Sequence, residues 1–364
     1  MNPMNIQQAT LQYERWLGRH ISIVREDLAR KHQMMASGSF PHLRATFYRW
    51  MNVWPDACRD LAAAHEVLSI GDLHIENFGT WRDQEGRLIW GVNDFDEAFP
   101  LPWTNDLVRL ATSASLAIQS DHLSLGRREA CDAILEGYAQ GLASGGKPFV
   151  LAENHGWLRK IALGKLRDPV GFWQKLNTLA PYDRRVPEDA RRALQHLLPE
   201  PALDCRIVHR IAGMGSLGRQ RLVALSQWKG GHLAREAKAL VPSACWLALK
   251  RTGRPHIYYQ TIIDGAVRVP DPFVGVRGQW IVRRLAPDCA RIELVSLPGG
   301  RDESTLLYSM GFETANIHLG SQNAQKAIRQ ELEKLPPRWL ATATKQMVKL
   351  VIRDWKDWRA VAKR

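Results

Sequence analysis

Two carboxylates and an amide stand in an order that suits phosphoryl transfer. Asp72 lies in Gly71-Asp72-Leu73-His74-Ile75-Glu76-Asn77, and Asp94 follows in Asn93-Asp94-Phe95-Asp96-Glu97. An aspartate is ionised at neutral pH and can orient or accept the proton of an attacking hydroxyl. An amide oxygen five residues later can ligate Mg²⁺ without adding charge. A carboxylate across a hairpin then completes a site for the ion beside phosphates. Asp72 is therefore the expected catalytic residue, and Asn77 and Asp94 the expected Mg²⁺ ligands. Asp96 is left without an assigned role. The same residue types also form turns and strand ends. A rival chemistry, binuclear phosphoester hydrolysis from Asp72-x-His74, needs downstream ligand segments, and the nearest is Glu153-Asn154-His155-Gly156.

A second motif could hold the phosphates. Gly213-Met214-Gly215-Ser216-Leu217-Gly218 lies between two strand-like runs, and Lys238 follows on a later run, in Ala234-Arg235-Glu236-Ala237-Lys238. A dinucleotide fold would place such glycines before a helix. Between strands, the turn can instead lay its N–H groups over phosphates, with the lysine reaching the α and β phosphates. Gly213, Gly215, Ser216, Gly218 and Lys238 are the expected contacts to ATP. A kinase-type lysine pairs with a helical glutamate. Between Lys238 and Trp280 there is no glutamate, which leaves Gln260 or Asp264 as partners, or none.

The run Gly-Asp-Leu-His-Ile-Glu-Asn, then Val-Asn-Asp-Phe-Asp-Glu-Ala, then Pro102-Trp103-Thr104-Asn105-Asp106-Leu107 resembles the aminoglycoside and choline phosphotransferase branch of the kinase-like superfamily. The resemblance implies that Asp106 is a buried brace of the catalytic loop. In that branch the glycine loop precedes the catalytic loop, whereas here it follows. A circular permutation is the simplest physical solution, since termini commonly lie at the surface. Met310-Gly311-Phe312-Glu313-Thr314-Ala315-Asn316-Ile317-His318 then resembles the helix that leads into the catalytic loop. The chain also resembles the uncharacterised bacterial family "domain of unknown function 2252". The resemblance rests on Ser39-Phe40-Pro41-His42-Leu43-Arg44, the motifs above, Ile281-Val282-Arg283-Arg284-Leu285 and Ala315-Asn316-Ile317-His318. Ala45 replaces that family's glycine.

The 364 residues carry 50 Lys and Arg against 37 Asp and Glu, a net charge of +13. Residues 71–120 run the other way, with eight acidic and three basic residues. An acidic island in a basic chain is where a cation would bind. Ordinary globular composition, at 45% hydrophobic and 24% charged, excludes disorder as the main state. The five cysteines, Cys58, Cys131, Cys205, Cys245 and Cys289, are scattered, against a disulfide framework or zinc site. No leader or membrane span is read, so the expected location is the cytoplasm. Nucleic-acid binding is an alternative suggested by the charge, with Arg44, the Arg283-Arg284 pair and the basic C-terminal stretch as its carriers. The stretch also reads as an amphipathic helix docking Trp355 and Trp358 on the body.

These residues need elements to hold them. The expected fold is α+β, two-lobed and kinase-like, in permuted order. Residues 1–65 read as an N-terminal helical segment, with a break at 37–42. Residues 66–200 read as the catalytic region, with a hairpin around 82–88 and helices over 104–119 and 126–142. A Pro-rich linker at 197–204 precedes a β-rich nucleotide lobe, 205–298, whose strand-like runs include 256–263 and 290–297. Residues 299–364 read as helices that pack on the catalytic region, broken at 335–337. The function expected is ATP- and Mg²⁺-dependent phosphoryl transfer to a small-molecule hydroxyl or amine. A non-catalytic nucleotide-binding protein is the alternative.

Overall fold

The computed structural model describes residues 4–120, 122–151, 155–165, 168–289 and 301–362. It is a mixed α+β chain. Four helices come first: α1 (Ile6–Leu17), α2 (Arg25–Ser37), α3 (Ser39–Ala45) and α4 (Phe47–Ala57). The expected break at 37–42 is thus mostly helix. Gly38 separates α2 from α3, and Pro41 sits in the first turn of α3, where its missing N–H costs nothing. Next come β1 (Glu66–Ser69), β2 (Phe78–Arg82), β3 (Leu88–Val92) and β4 (Phe99–Pro102), followed by α5 (Thr104–Gln119) and α6 (Arg127–Ser144). Strands β2 and β3 form the expected hairpin, extended by β5 (Phe149–Val150), while β1 pairs with β4.

Helices α7 (Gly156–Lys165), α8 (Pro169–Asn177) and α9 (Glu188–Gln195) lead to β6 (Arg206–His209), β7 (Arg221–Trp228) and β8 (Gly231–Ala239). Short helices α10 (Cys245–Ala248) and α11 (Tyr259–Gly265) precede β9 (Gly275–Arg277) and β10 (Trp280–Leu285). The antiparallel sheet runs β6-β7-β8-β10-β9. Residues 256–263, expected as a strand, lie largely in α11. Tyr259 and Ile262 are buried three apart, the spacing of one helix face. The expected run at 290–297 lies outside the described residues.

Alternation decides what the five-stranded sheet presents. Leu222, Ala224 and Ala237 face α9, packing on Ala190, Ala193 and Leu194. Val223, Leu225 and Ala234 face α8, packing on Leu176 beside Phe172 and Trp173. That second face continues through the register pairs Arg221↔Lys238 and Val223↔Glu236. It is therefore apolar at the α8 end and charged at the other.

The chain closes with α12 (Arg301–His318), α13 (Ala324–Leu332) and α14 (Trp339–Ala362). The main core gathers on α5, which is buried from Thr104 to Ala117 on every side. Glycines let α6 and α12 touch backbone to backbone. A Cβ at Gly137 would lie 1.9 Å from the Tyr308 carbonyl, and one at Gly311 2.0 Å from that of Ile134. Helix α14 docks as its amphipathic pattern implies: Trp355 Nε1 donates to Ala36 O (3.1 Å) and Trp358 Nε1 to His32 O (3.2 Å). Arg49 and Asp354 form a buried pair at 2.7 Å that ties α4 to α14. Among the described residues no helix is long and apolar enough to cross a membrane.

Candidate functional site

The loop after β1 is held by one buried carboxylate. Asp106, in the first turn of α5, accepts from Ile70 N at 2.7 Å and Gly71 N at 3.0 Å. His318 Nε2 meets the same carboxylate at 3.1 Å, and its Nδ1 meets Tyr138 Oη at 2.8 Å. Asp106 thus has the bracing position that the sequence resemblance implied. Gly71 turns the chain at φ +80°, and a Cβ there would fall 2.3 Å from Glu97 O. Ser113 Oγ accepts from Ile75 N at 3.0 Å, so a second group on α5 fixes the loop.

Asp72 follows that turn and pairs with Arg109. The Arg109 guanidinium is fully buried against the rings of Phe47 and Trp50, both at 5.0 Å. Burial raises the Asp72 carboxyl above its ordinary value, while Arg109 opposes the rise. Asn77 links the two acidic loops by donating from Nδ2 to Asp94 O at 2.9 Å. Its Oδ1 accepts no bond among the described residues, which leaves that oxygen open to a ligand.

Asp94 and Asp96 share Lys238. Its Nζ lies 3.2 and 3.1 Å from the two Asp94 oxygens and 2.6 Å from Asp96 Oδ1. Burial lowers the Lys238 pKa, and the two aspartates oppose that. Gln260 instead donates to Asp264 at 2.8 Å, so neither of the expected partners holds the lysine. The reason is local: buried Tyr259 fixes the face of α11, and Gln260 is bound to Asp264 and Val276 N. Burial also raises the Asp96 carboxyl, with Asp94 adding to it. Arg219, just past the glycine turn, reaches Asp96 at 3.1 Å and Glu97 at 3.2 Å. Burial pushes Glu97 up to about 7 against that cation.

The glycine turn lies against these groups. Gly213 has φ +75°, and Gly215 comes so near that a Cβ would sit 3.4 Å from Asp72 Oδ2. Ser216 Oγ accepts from Arg221 at 2.8 Å. Arg221 in turn meets Glu236 at 2.7 Å, and Arg210 meets it at 2.6 Å. Burial pushes the Glu236 carboxyl up, yet Arg221, Arg210 and Arg283 together hold it well below the usual range. Helix α2 clamps the turn from outside. Lys31 Nζ donates to Gly215 O at 3.1 Å, Val24 N to Gly218 O at 2.9 Å, and Asp27 pairs with His209 at 2.9 Å. Burial brings the Lys31 ammonium down to about 8.

Asp72, Asn77, Asp94, Gly213, Gly215 and Ser216 therefore line one cavity. Gly218 does not line it; it packs on Leu28 and Ile23 instead. Lys238 stands behind Asp94 on β8. The cavity measures about 50 Å³, room for one or two waters at roughly 30 Å³ each in the liquid. Arg283 goes to Glu236 at 3.5 Å and Arg284 lies over the Phe273 ring at 4.5 Å, so neither reaches the cavity. Arg44 lines it and pairs with Glu76. His74 lines it too. Of the segment that the hydrolase reading needs, Glu153 and Asn154 lie outside the described residues.

Sequence reasoning missed Lys31, Arg219 and Arg109, and also Tyr13, which lines the cavity and whose hydroxyl accepts from Arg219 at 3.2 Å. Arg109 had a signal, three residues after Asp106 on one face of α5. Lys31 had none, because its partner is a carbonyl 184 residues away. Among the described residues no three His, Cys, Asp or Glu side chains are placed to cage a metal. The donor set still fits Mg²⁺, which takes one or two protein oxygens and fills its octahedron with water and phosphate. Asp94 and the Asn77 amide oxygen would supply those two.

No curated protein matches the chain, and no solved structure does. One family model matches, over residues 23–155, from the start of the clamp helix through the Asp72 and Asp94 loops to just past α6. That segment matches the model of the family described as uncharacterized protein conserved in bacteria (DUF2252).

Proposed function

We propose that the protein is an ATP- and Mg²⁺-dependent phosphotransferase with a two-lobed, kinase-like fold in circularly permuted order. The observation that carries this is the meeting of Asp72, Asn77 and Asp94 with the glycine turn at one cavity. The five-stranded sheet supports it, with the turn between its first two strands and Lys238 on the third, where a phosphate-binding lysine belongs. In this reading Asp72 orients the acceptor hydroxyl or amine and takes its proton. Its raised pKa suits a base. Asn77 and Asp94 would hold Mg²⁺, which neutralises charge on the phosphates. Lys238 leaves the aspartates for phosphate, and the N–H groups of 213–215 cover it, that of Ser216 being bound to Gly213 O. Catalysis is then chiefly positioning and charge stabilisation.

A non-catalytic nucleotide-binding role is the second reading. It is favoured by the engagement of Lys238 with two aspartates in place of a glutamate, and by the narrow cavity. Turnover separates the two. Radiolabelled ATP incubated with a mixture of small alcohols and amines, or with water alone, should release or transfer phosphate. Asp72→Asn, which keeps an acceptor for Arg109, should lower the rate about 100-fold or more. Equal rates in both proteins would overturn the catalytic reading.

A further inference from the structure

The segment after β3 has two faces, and only one serves the cavity described above. Asp94 and Asp96 point to Lys238, as their bonds show. Asn93 and Phe95 line a different cavity, about 390 Å³ in volume, closed on its other sides by Trp81, α11 and the loop 266–274. This size falls in the range of small-molecule sites.

Its walls are aromatic. Tyr259 meets Phe95 edge to face at 5.8 Å. Trp81 and Phe95 both carry the Arg268 guanidinium, at 4.6 and 5.0 Å from their ring centres, and Arg268 also donates to Val92 O at 3.2 Å. Its Nη2 is thus committed to the wall, while its Nη1 is buried without a hydrogen-bond partner among the described residues. Beside it the lining offers the Asp271 carboxylate, which also lies in the field of Arg284 and Arg283, the Asn93 amide and the Tyr259 hydroxyl. Asp271 uses Oδ1 to accept from Phe273 N at 2.9 Å and makes no ion pair among the described residues. The Asn93 amide and the Tyr259 hydroxyl make no side-chain hydrogen bond among them either. Asp264 adds a second carboxylate to the lining.

We infer that this cavity is a second ligand site, built for a small aromatic or heteroaromatic amine. The ring would lie among Trp81, Phe95 and Tyr259, and the ammonium would meet Asp271 and the Asn93 amide oxygen. The inference stands apart from phosphoryl transfer, because it concerns binding alone.

Calorimetric titration of the full chain with tryptamine, and with indole-3-acetate as the opposite-charge control, tests it. Tryptamine is expected to bind saturably, and indole-3-acetate at least tenfold more weakly. Asp271→Asn keeps the acceptor for Phe273 N and should weaken tryptamine at least tenfold. Ala266→Phe, which fills the cavity, should abolish binding while the variant melts as a folded protein. Absence of saturable tryptamine binding, equal binding of the two probes, or binding unchanged in Asp271→Asn would each overturn the inference.

Discussion

Asp106 serves four buried donors with one carboxylate: two loop amides, the Asn105 side-chain amide and His318. Each donor left without a partner costs about 1–3 kcal/mol. Asp106→Ala is therefore expected to destabilise the protein by about 3 kcal/mol or more in denaturant unfolding, and Asp106→Asn by less, since it keeps an acceptor. Glu313 acts differently. It accepts from Val92 N at 3.2 Å and Asn316 Nδ2 at 2.8 Å, and burial pushes its carboxyl up to about 7 from an ordinary 4.5. A carboxyl raised on folding stabilises fully below about pH 4.5, and that stabilisation is lost as pH rises through 7. The full effect is roughly 3 kcal/mol at most. Unfolding free energies measured from pH 4 to 8 should fall more steeply with pH for the wild type than for Glu313→Gln. Parallel curves would contradict the assignment.

At the scale of elements, α2 matters most. Its bonds at Val24 and Lys31 to the glycine turn, and at Asp27 to His209 at the end of β6, hold Gly215 against Asp72. Met35 packs beside Met214 of the turn, with Trp358 of α14 against the same cluster. Lys31→Met removes one clamp and keeps the apolar stem. Amide exchange across 211–220 is expected to speed several-fold in this variant, while exchange in α5 stays slow. Local loops with fewer ties open more readily than the core. Unchanged exchange in the turn would show that the clamp does not depend on Lys31.

Most elements around the site were legible in the sequence. The hairpin at 82–88 and the helix over 104–119 follow from turn residues and from apolar residues at helical spacing. What could not be read depended on long-range partners. Gln260 and Asp264 were considered for Lys238 because they are near in sequence, but the lysine reaches Asp94 and Asp96, more than 140 residues away. The run 256–263 is rich in Ile and Tyr, which favour strands, yet burial of Tyr259 and Ile262 on one side makes it helical. Tertiary packing outweighs propensity there. Likewise Lys31 looked like any lysine on a helix, until the fold set it under the glycine turn.

For the whole molecule, the charge pattern resolves into pairs. Of the eight acidic residues of 71–120, six meet a Lys or Arg: Asp72 meets Arg109, Asp94 and Asp96 share Lys238, Glu97 meets Arg219, Glu76 meets Arg44 and Asp83 meets Arg87. The island is thus largely a set of ion pairs, and those of Asp94, Asp96 and Glu97 reach Lys238 and Arg219, more than 100 residues away. A divalent cation with phosphates would have to exchange into those pairs, with Lys238 moving from carboxylate to phosphate. The central claim is that Asp94 holds Mg²⁺ beside bound nucleotide. A thermal-shift titration with ATP, with and without Mg²⁺, on wild type and Asp94→Asn tests it most directly. Saturating a site at about 100 times Kd adds roughly 2.7 kcal/mol, a rise of several degrees in Tm. The account predicts that rise only with Mg²⁺ and only in the wild type. No shift with Mg²⁺ and ATP, or the same shift in Asp94→Asn, would contradict it.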